Sequence, residues 1–283
     1  MSEKTGTLYL CATPIGNLED ITYRVVRILN EVDLIAAEDT RNSIHLLNHF
    51  DIHTPMTAYH EYNKYDKSKE LVKYMLEGKS VAVITDAGTP GISDPGEELV
   101  RQAKEAGLTV TSLPGPAAVI TALTLSGLAT RRFAFEAFLP ADKKEREKIK
   151  EELKKETRTI ILYEAPHHLK KTLKELYEHL GNRSLTICKE LTKIHEKAMK
   201  TDFEGALSFY ENTEPRGEYV LVIAGRPRKE LEEEARKKYE NLSFLDHMAL
   251  YEKEGLNEKE AMKKVAKDRG ISKREVYEIL KKK

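Results

Sequence analysis

Three glycine- and proline-containing segments each follow a short apolar run. They are Ala12-Thr13-Pro14-Ile15-Gly16-Asn17-Leu18, the eleven residues from Asp86 through Gly88, Ile92 and Asp94 to Gly96, and Leu113-Pro114-Gly115-Pro116-Ala117-Ala118. Glycine lets a backbone approach a ligand closely or take positive φ, and proline stiffens a loop. A single segment of this kind is compatible with a tight turn alone. Three of them in one unit, at the carboxyl ends of three expected strands, suggest a shared cradle for a small molecule. Asp86 directly follows Val81-Ala82-Val83-Ile84, where a carboxylate could accept hydrogen bonds from an amine or hydroxyl; a helix or turn cap is the alternative. Neither the GxxxxGKS phosphate loop nor the GxGxxG fingerprint occurs, which counts against a nucleotide triphosphatase or a standard dehydrogenase.

A second, polar constellation also falls at strand ends. Glu38-Asp39-Thr40-Arg41 follows Ala37, Lys189-Glu190 follows Cys188, Tyr163-Glu164-Ala165-Pro166-His167 follows another apolar run, and Arg216-Gly217-Glu218 precedes the last. Acids and bases gathered there could position and deprotonate a hydroxyl, although each alone could be a cap or a surface ion pair. His45 and His49 are four apart on an expected helix, but their neighbours supply no third ligand, so no metal is expected. No G-x-S-x-G elbow is present.

These segments need a scaffold. The chain has 283 residues, enough for two compact domains. With 40% hydrophobic and 33% charged residues it can bury a core and remain an ordinary globular protein. The formal net charge is zero, so any attraction for nucleic acid must be local. Cys11 and Cys188 sit in apolar runs and read as small buried hydrophobes in a reducing compartment, with no disulfide. No signal peptide is evident, and the uncharged stretch Ala106 to Thr130 is broken by Pro114, Gly115 and Pro116, so a cytoplasmic protein without a membrane span is expected.

Apolar runs alternate with amphipathic stretches. The pattern predicts strands at Thr7–Ala12, Val32–Ala37, Met56–Tyr59, Ser80–Thr85 and Thr109–Leu113, with helices between them and one from Ala117 to Gly127. Such alternation predicts an α/β fold with a mostly parallel sheet. A second α/β unit would hold strands Phe133–Phe138, Thr159–Tyr163, Leu185–Glu190 and Tyr219–Ala224. Asp142 with Glu145, and Thr201 with Glu204, look like capping pairs opening helices. Thr130-Arg131-Arg132 is the expected hinge, which divides the chain into residues 1–130 and 131–227. Residues 228–283 would form a charged linker and a helical helix-turn-helix-like domain, with capping pairs Asn257/Glu260 and Ser272/Glu275 and a helix stop at Gly270. From Lys263 to Lys283, nine Lys or Arg face three Asp or Glu, a local net of +6.

The ordered motifs TPIGNLEDIT, AEDTR, TDAGTPGISDPG and LPGPAA resemble those of the tetrapyrrole methylase superfamily. YEAPHHL, CKELTKIHE, RGEYVLVIAG and the basic tail resemble its branch acting on small-subunit ribosomal RNA. The resemblance covers nearly the whole chain. It implies the two-domain tetrapyrrole methylase fold (class III methyltransferase), with S-adenosylmethionine between the domains, usually in a homodimer. It also implies methylation of the ribose 2′-hydroxyl of a cytidine in the decoding region of 16S rRNA within the small ribosomal subunit. Carried over by motif, the cofactor contacts would be Pro14, Ile15, Gly16, Asp86, Gly88, Ile92, Pro114, Gly115 and Ala117, with Leu162, Tyr163 and the strand ending at Ala224 as walls. Glu38, Asp39, Glu190 or Glu218 would act as base or positioner, assisted by Arg41 and Lys189; Arg41, Lys189, Arg216, Lys273 and Arg274 would hold RNA. TPIGN stands where porphyrin-methylating relatives have a G-x-G-x-G loop, and His168 stands where the branch often has Arg. A porphyrin or corrin methylase, a protein methylase of the diphthamide pathway and a non-catalytic DNA-binding protein remain the alternatives. The basic tail distinguishes the first two and the three loops distinguish the third.

Overall fold

The computed structural model describes residues 5–281. The first four residues of the expected first domain, and Lys282 and Lys283 of the basic tail, lie outside the described residues. In chain order the first unit holds β1 (Thr7–Leu10), a 3-10 turn (Leu18–Asp20), α1 (Tyr23–Glu31), β2 (Leu34–Ala37), α2 (Thr40–His49), β3 (Met56–Ala58), α3 (Lys64–Leu76), β4 (Val81–Ile84), α4 (Gly96–Glu105), β5 (Thr109–Ser112) and α5 (Ala118–Leu125). All pairings in its sheet are parallel, in the order β3-β2-β4-β1-β5. Alternation along the strands sorts two cores. Cys11, Ile35, Ala37, Ala82 and Ile84 pack with Val25, Ile28 and Leu29 of α1. Leu8, Leu10, Ala36, Val81 and Val83 pack with Leu71 and Met75 of α3 and Leu99 of α4 on the other face. Each fully buried Leu or Met here is worth about 1.5–3 kcal/mol.

The order matters because β4, β1 and β5 are adjacent. The three glycine- and proline-containing segments leave the carboxyl ends of these three neighbouring strands. The chain reverses direction of winding here, which opens a crevice in a parallel sheet.

The second unit holds β6 (Phe133–Phe135), α6 (Lys143–Lys154), β7 (Thr159–Glu164), α7 (Pro166–Leu180), β8 (Ser184–Lys189), β9 (Lys197–Asp202), α8 (Phe203–Glu211) and β10 (Tyr219–Ile223). Its sheet runs β6-β7-β10-β8-β9. It is mixed, since β10 runs antiparallel to both β7 and β8, and β9 antiparallel to β8. Sequence patterning misses β9, because Lys197-Ala198-Met199-Lys200-Thr201-Asp202 is largely exposed and lacks an apolar run. The helix after it is capped by Asp202, whose carboxylate accepts from Gly205 N at 2.8 Å; Thr201, expected as the cap, is still in the strand. The cap at Asp142 stands as expected, accepting from Glu145 N at 2.8 Å.

Helix α5 closes the first unit but packs on the second sheet. Val119, Ala122 and Leu123 lie against Ile161, Cys188, Val220 and Val222. Tyr163 Oη accepts from Val119 N at 3.2 Å, and Thr186 Oγ1 donates to Ser126 O at 2.9 Å. The following segment, read as a hinge, is tied to the start of β7: Thr159 donates from Oγ1 to Ala129 O at 2.6 Å and from its backbone N to Arg132 O.

Past β10 come α9 (Arg228–Lys237), α10 (Phe244–Lys253), α11 (Glu258–Arg269) and α12 (Lys273–Lys281). The last three share a small core of Met248, Ala261, Met262, Val265, Ala266 and Val276. Asn257 and Glu260 form a reciprocal capping box, and Gly270 ends α11 in the left-handed conformation at φ 64°. Ser272 and Glu275 cap α12 in the same reciprocal way. Among the described residues, no helix is long and apolar enough to cross a membrane.

Candidate functional site

Hydrogen bonds stitch the three segments into one surface. Thr13 and Gly88 exchange backbone bonds at 2.9 and 3.0 Å, and Thr13 Oγ1 donates to Thr85 O at 3.0 Å. Thr89 Oγ1 donates to Pro116 O at 2.8 Å, joining the second segment to the third. A Cβ on Gly115 would lie 2.6 Å from that of Ala12, so only glycine lets the third segment close on the first. Asp94 fixes the second segment by accepting from Gly91 N, Ile92 N and Gly96 N at 2.8–3.0 Å.

Between this surface and the ends of β7 and β10 lies a cleft of about 470 Å³. Ile15, Asp86, Gly88, Ile92 and Ala117 line it from the first unit, and Tyr163, Leu191 and Val220 from the second. Pro14, Gly16, Pro114 and Gly115 shape the walls without lining the cleft. Leu162 and Ala224 stand elsewhere than expected. Leu162 points into the core under α6 and α7, because alternation gives the cleft face to Ile161 and Tyr163. Ala224 lies past the far end of β10. That strand is antiparallel to β7, pairing Tyr219 with Glu164 and Ile223 with Ile160, so its first residues reach the cleft. Phe138 also lines the cleft and was not singled out in the sequence; its expected strand stops at Phe135.

The polar candidates separate. Glu38 lines the cleft, partly buried, and its carboxyl is raised above the ordinary glutamate value by burial first and then by Asp86. Asp39 does not line the cleft. It caps α2 through Arg41 N and grips the Arg41 guanidinium at 2.7 and 3.1 Å, which brings its carboxyl down to about 2. Glu190, at φ 51°, is a brace for the opposite rim. Its Oε1 accepts from Glu218 N at 2.9 Å and from Lys193 Nζ at 3.0 Å, and these bonds outweigh burial and hold its carboxyl low. Gly217, at φ 82°, leaves room for it: a Cβ there would lie 2.6 Å from the Glu190 carboxyl carbon. Glu218 lines the cleft with its own carboxylate 2.8 Å from Lys193 Nζ. Arg216 is exposed and Lys189 partly so, on this same rim. Lys273 and Arg274 open α12 in the tail, away from the cleft lining.

The cleft lining carries five carboxylates, Glu38, Asp86, Asp94, Glu164 and Glu218, and no lysine, arginine or histidine among the described residues. Its volume falls in the range of ligand sites, about 300–1,000 Å³. Apolar walls and an acidic floor suit a nucleoside-sized cation.

Residues 7–206 match the family described as Tetrapyrrole (Corrin/Porphyrin) Methylases. The chain is 47% identical to a protein of Halalkalibacterium halodurans (strain ATCC BAA-125 / DSM 18197 / FERM 7344 / JCM 9153 / C-125) named Ribosomal RNA small subunit methyltransferase I, over 97% of this chain and 94% of that protein. A protein of the same name from Bacillus subtilis (strain 168) is 43% identical over 96% and 93%. Among solved structures, diphthine synthase superposes with a TM-score of 0.60 at 13% identity, covering 77% of this chain and 90% of that one. Uroporphyrin-III C-methyltransferase from Thermus thermophilus, complexed with S-adenyl homocysteine, gives 0.55 at 18%, covering 77% and 97%. At such identities the two structures share the fold.

Proposed function

Because the chain belongs to the tetrapyrrole methylase family, and its nearly full-length relatives are ribosomal RNA small subunit methyltransferases, we propose that it transfers a methyl group from S-adenosylmethionine to 16S rRNA in the small ribosomal subunit. The acceptor is the ribose 2′-hydroxyl of a cytidine in the decoding region, and the enzyme acts as a homodimer. The observation that carries the reading is the carboxylate-lined cleft under three interlocked loops. Five carboxylates attract a methyl donor bearing sulfonium and ammonium charges, and they repel a macrocycle ringed with acids, which disfavours a tetrapyrrole substrate.

When bound, the sulfonium would supply an electrophilic methyl carbon for transfer to the hydroxyl oxygen, its thioether being the leaving group. Ile15, Gly88, Ala117 and Tyr163, which line the cleft, would hold the donor, and Asp86 would accept hydrogen bonds from its polar groups. Glu38 takes the hydroxyl proton. Of the four acids considered, it is the one that lines the cleft and has no cation partner among the described residues: Asp39 is held by Arg41, and Glu190 and Glu218 by Lys193. Alignment of oxygen and methyl carbon by the two rims supplies much of the acceleration, worth roughly 7–11 kcal/mol at best. Lys189 and Arg216 meet RNA phosphates at the rim, and Lys273 and Arg274 add contacts from the tail.

The test is transfer of labelled methyl from S-adenosylmethionine to small subunits purified from cells lacking the enzyme, with the modified nucleoside mapped. A 2′-O-methylcytidine in 16S rRNA is the expected product. Label in a tetrapyrrole and none in RNA would overturn the proposal.

A further inference from the structure

Phe138 combines features that no packing role explains. Its ring lines the cleft yet remains 57% exposed, and it comes from the second unit whereas the three loops belong to the first. Strand β6 stops three residues earlier, and Ala137 holds φ 49°, a left-handed conformation that costs a residue with a Cβ energy. Tyr163 N donates to Ala137 O at 2.8 Å, which pins this strained turn to β7. Below it, Phe138 meets Tyr163 edge to face, with centroids 5.7 Å apart, and Tyr163 meets Phe135 in the same way at 4.9 Å. Tyr163 is itself fixed by its bond from Val119 N. A rigid aromatic stack therefore ends in a ring that protrudes from the wall. Burial does not reward that arrangement, whereas a flat π surface laid over it would.

On the reading given above, which this inference rests on, we infer that Phe138 is the stacking platform for a nucleobase, and that the base is the one attached to the ribose being methylated. A hydroxyl inside a folded RNA reaches a recessed donor only if its nucleotide is drawn out of the stack. An extruded base then needs a π face to replace its former neighbours. The donor's adenine is the other base that could use this ring. Phe138, however, is carried by the second unit, whereas the three loops that cradle the donor belong to the first. It meets Tyr163 only at the edge of the donor's wall and leaves a ring 57% exposed, open to a polymer arriving from solvent. Phe138 is thus a positioning residue for the acceptor.

Three variants, Phe138→Ala, Phe138→Leu and Phe138→Tyr, test this, with KM for small subunits and calorimetric Kd for S-adenosylmethionine measured on each. Partial exposure of the ring leaves all three able to fold. Phe138→Ala is expected to raise KM about tenfold, in line with base–aromatic stacking, and to leave the donor Kd within about twofold. Phe138→Tyr restores KM and Phe138→Leu does not, because an apolar side chain without a π face cannot stack. Weakened donor binding with unchanged KM would assign the ring to adenine and overturn the inference. Equal rescue by Leu would reduce it to apolar packing and overturn it as well. Donor binding is read without RNA, so absence of any RNA methylation by the wild type would instead sink the functional reading.

Discussion

A Cβ placed on Gly16 would lie 2.4 Å from Cγ of Lys193, so the first loop of one unit and the brace of the other touch where only a glycine fits. Lys193 in turn bridges Glu190 and Glu218. The position of the acceptor-side rim therefore depends on a missing methyl group across the cleft. Gly16→Ala is expected to weaken donor binding and lower thermal stability, by about 1–3 kcal/mol from backbone strain and displacement together. Lys193→Ala alone removes partly exposed ion pairs and costs about 1 kcal/mol or less. The double variant should lose less than the sum, since the second change removes the clash. Strict additivity in thermal unfolding would show that the two residues do not press on each other.

Glu38→Gln separates catalysis from stability. The base acts as a carboxylate, so wild-type kcat/KM should rise with pH through a pKa above the ordinary glutamate value and then level off. The variant should lose this limb and fall roughly 10²–10⁴-fold in rate. Stability moves the other way. A folded-state pKa raised above the unfolded one favours the protonated fold, a contribution present in full below the unfolded pKa and lost as pH rises through the folded one. Glu38→Gln should therefore melt higher than wild type near neutral pH, with the gap closing on acidification. Unchanged activity would remove Glu38 from the chemistry.

The two thiols should be inert while the protein is folded. Burial pushes Cys11 up to about 12 and Cys188 up to about 11, and both side chains are fully enclosed. With almost no thiolate and no access, neither should react with a disulfide reagent in native buffer, and two equivalents should appear on denaturation. Rapid native labelling of either would contradict the packing of its strand.

Ending the chain at Pro227 removes helices that hold their own core and contribute nothing to the cleft lining. Donor affinity should stay within about twofold. Affinity for small subunits should fall, and its log–log dependence on salt should flatten by roughly 0.7–0.9 for each phosphate that the tail no longer neutralises. An unchanged salt slope would show that Lys273 and Arg274 do not face RNA.

Sequence alone determined what local chemistry determines. The strands of the first unit are legible because apolar runs of four or five residues alternate with amphipathic helices. The caps at Asp142 and Asn257 are legible because a short polar side chain and an acid three residues on have one local use. The three loops are legible because glycine and proline are costly elsewhere. Tertiary structure decided which neighbours those residues meet. The exposed strand β9 is held by pairing with β8 and has no apolar run to announce it. Leu162 and Tyr163 are adjacent in sequence, yet the pleat sends one into the core and the other to the cleft. Ala224 sits at the wrong end because the antiparallel direction of β10 is fixed by β7 and β8. The four acids were equal in sequence. Asp39 is held by Arg41 two residues on, and Glu190 by Lys193 three residues on, pairings within reach of the local chain. The fold added the bond from Lys193 to Glu218, 25 residues away, and left Glu38 without a cation among the described residues, because a pairing at that separation depends on how distant strand ends are brought together.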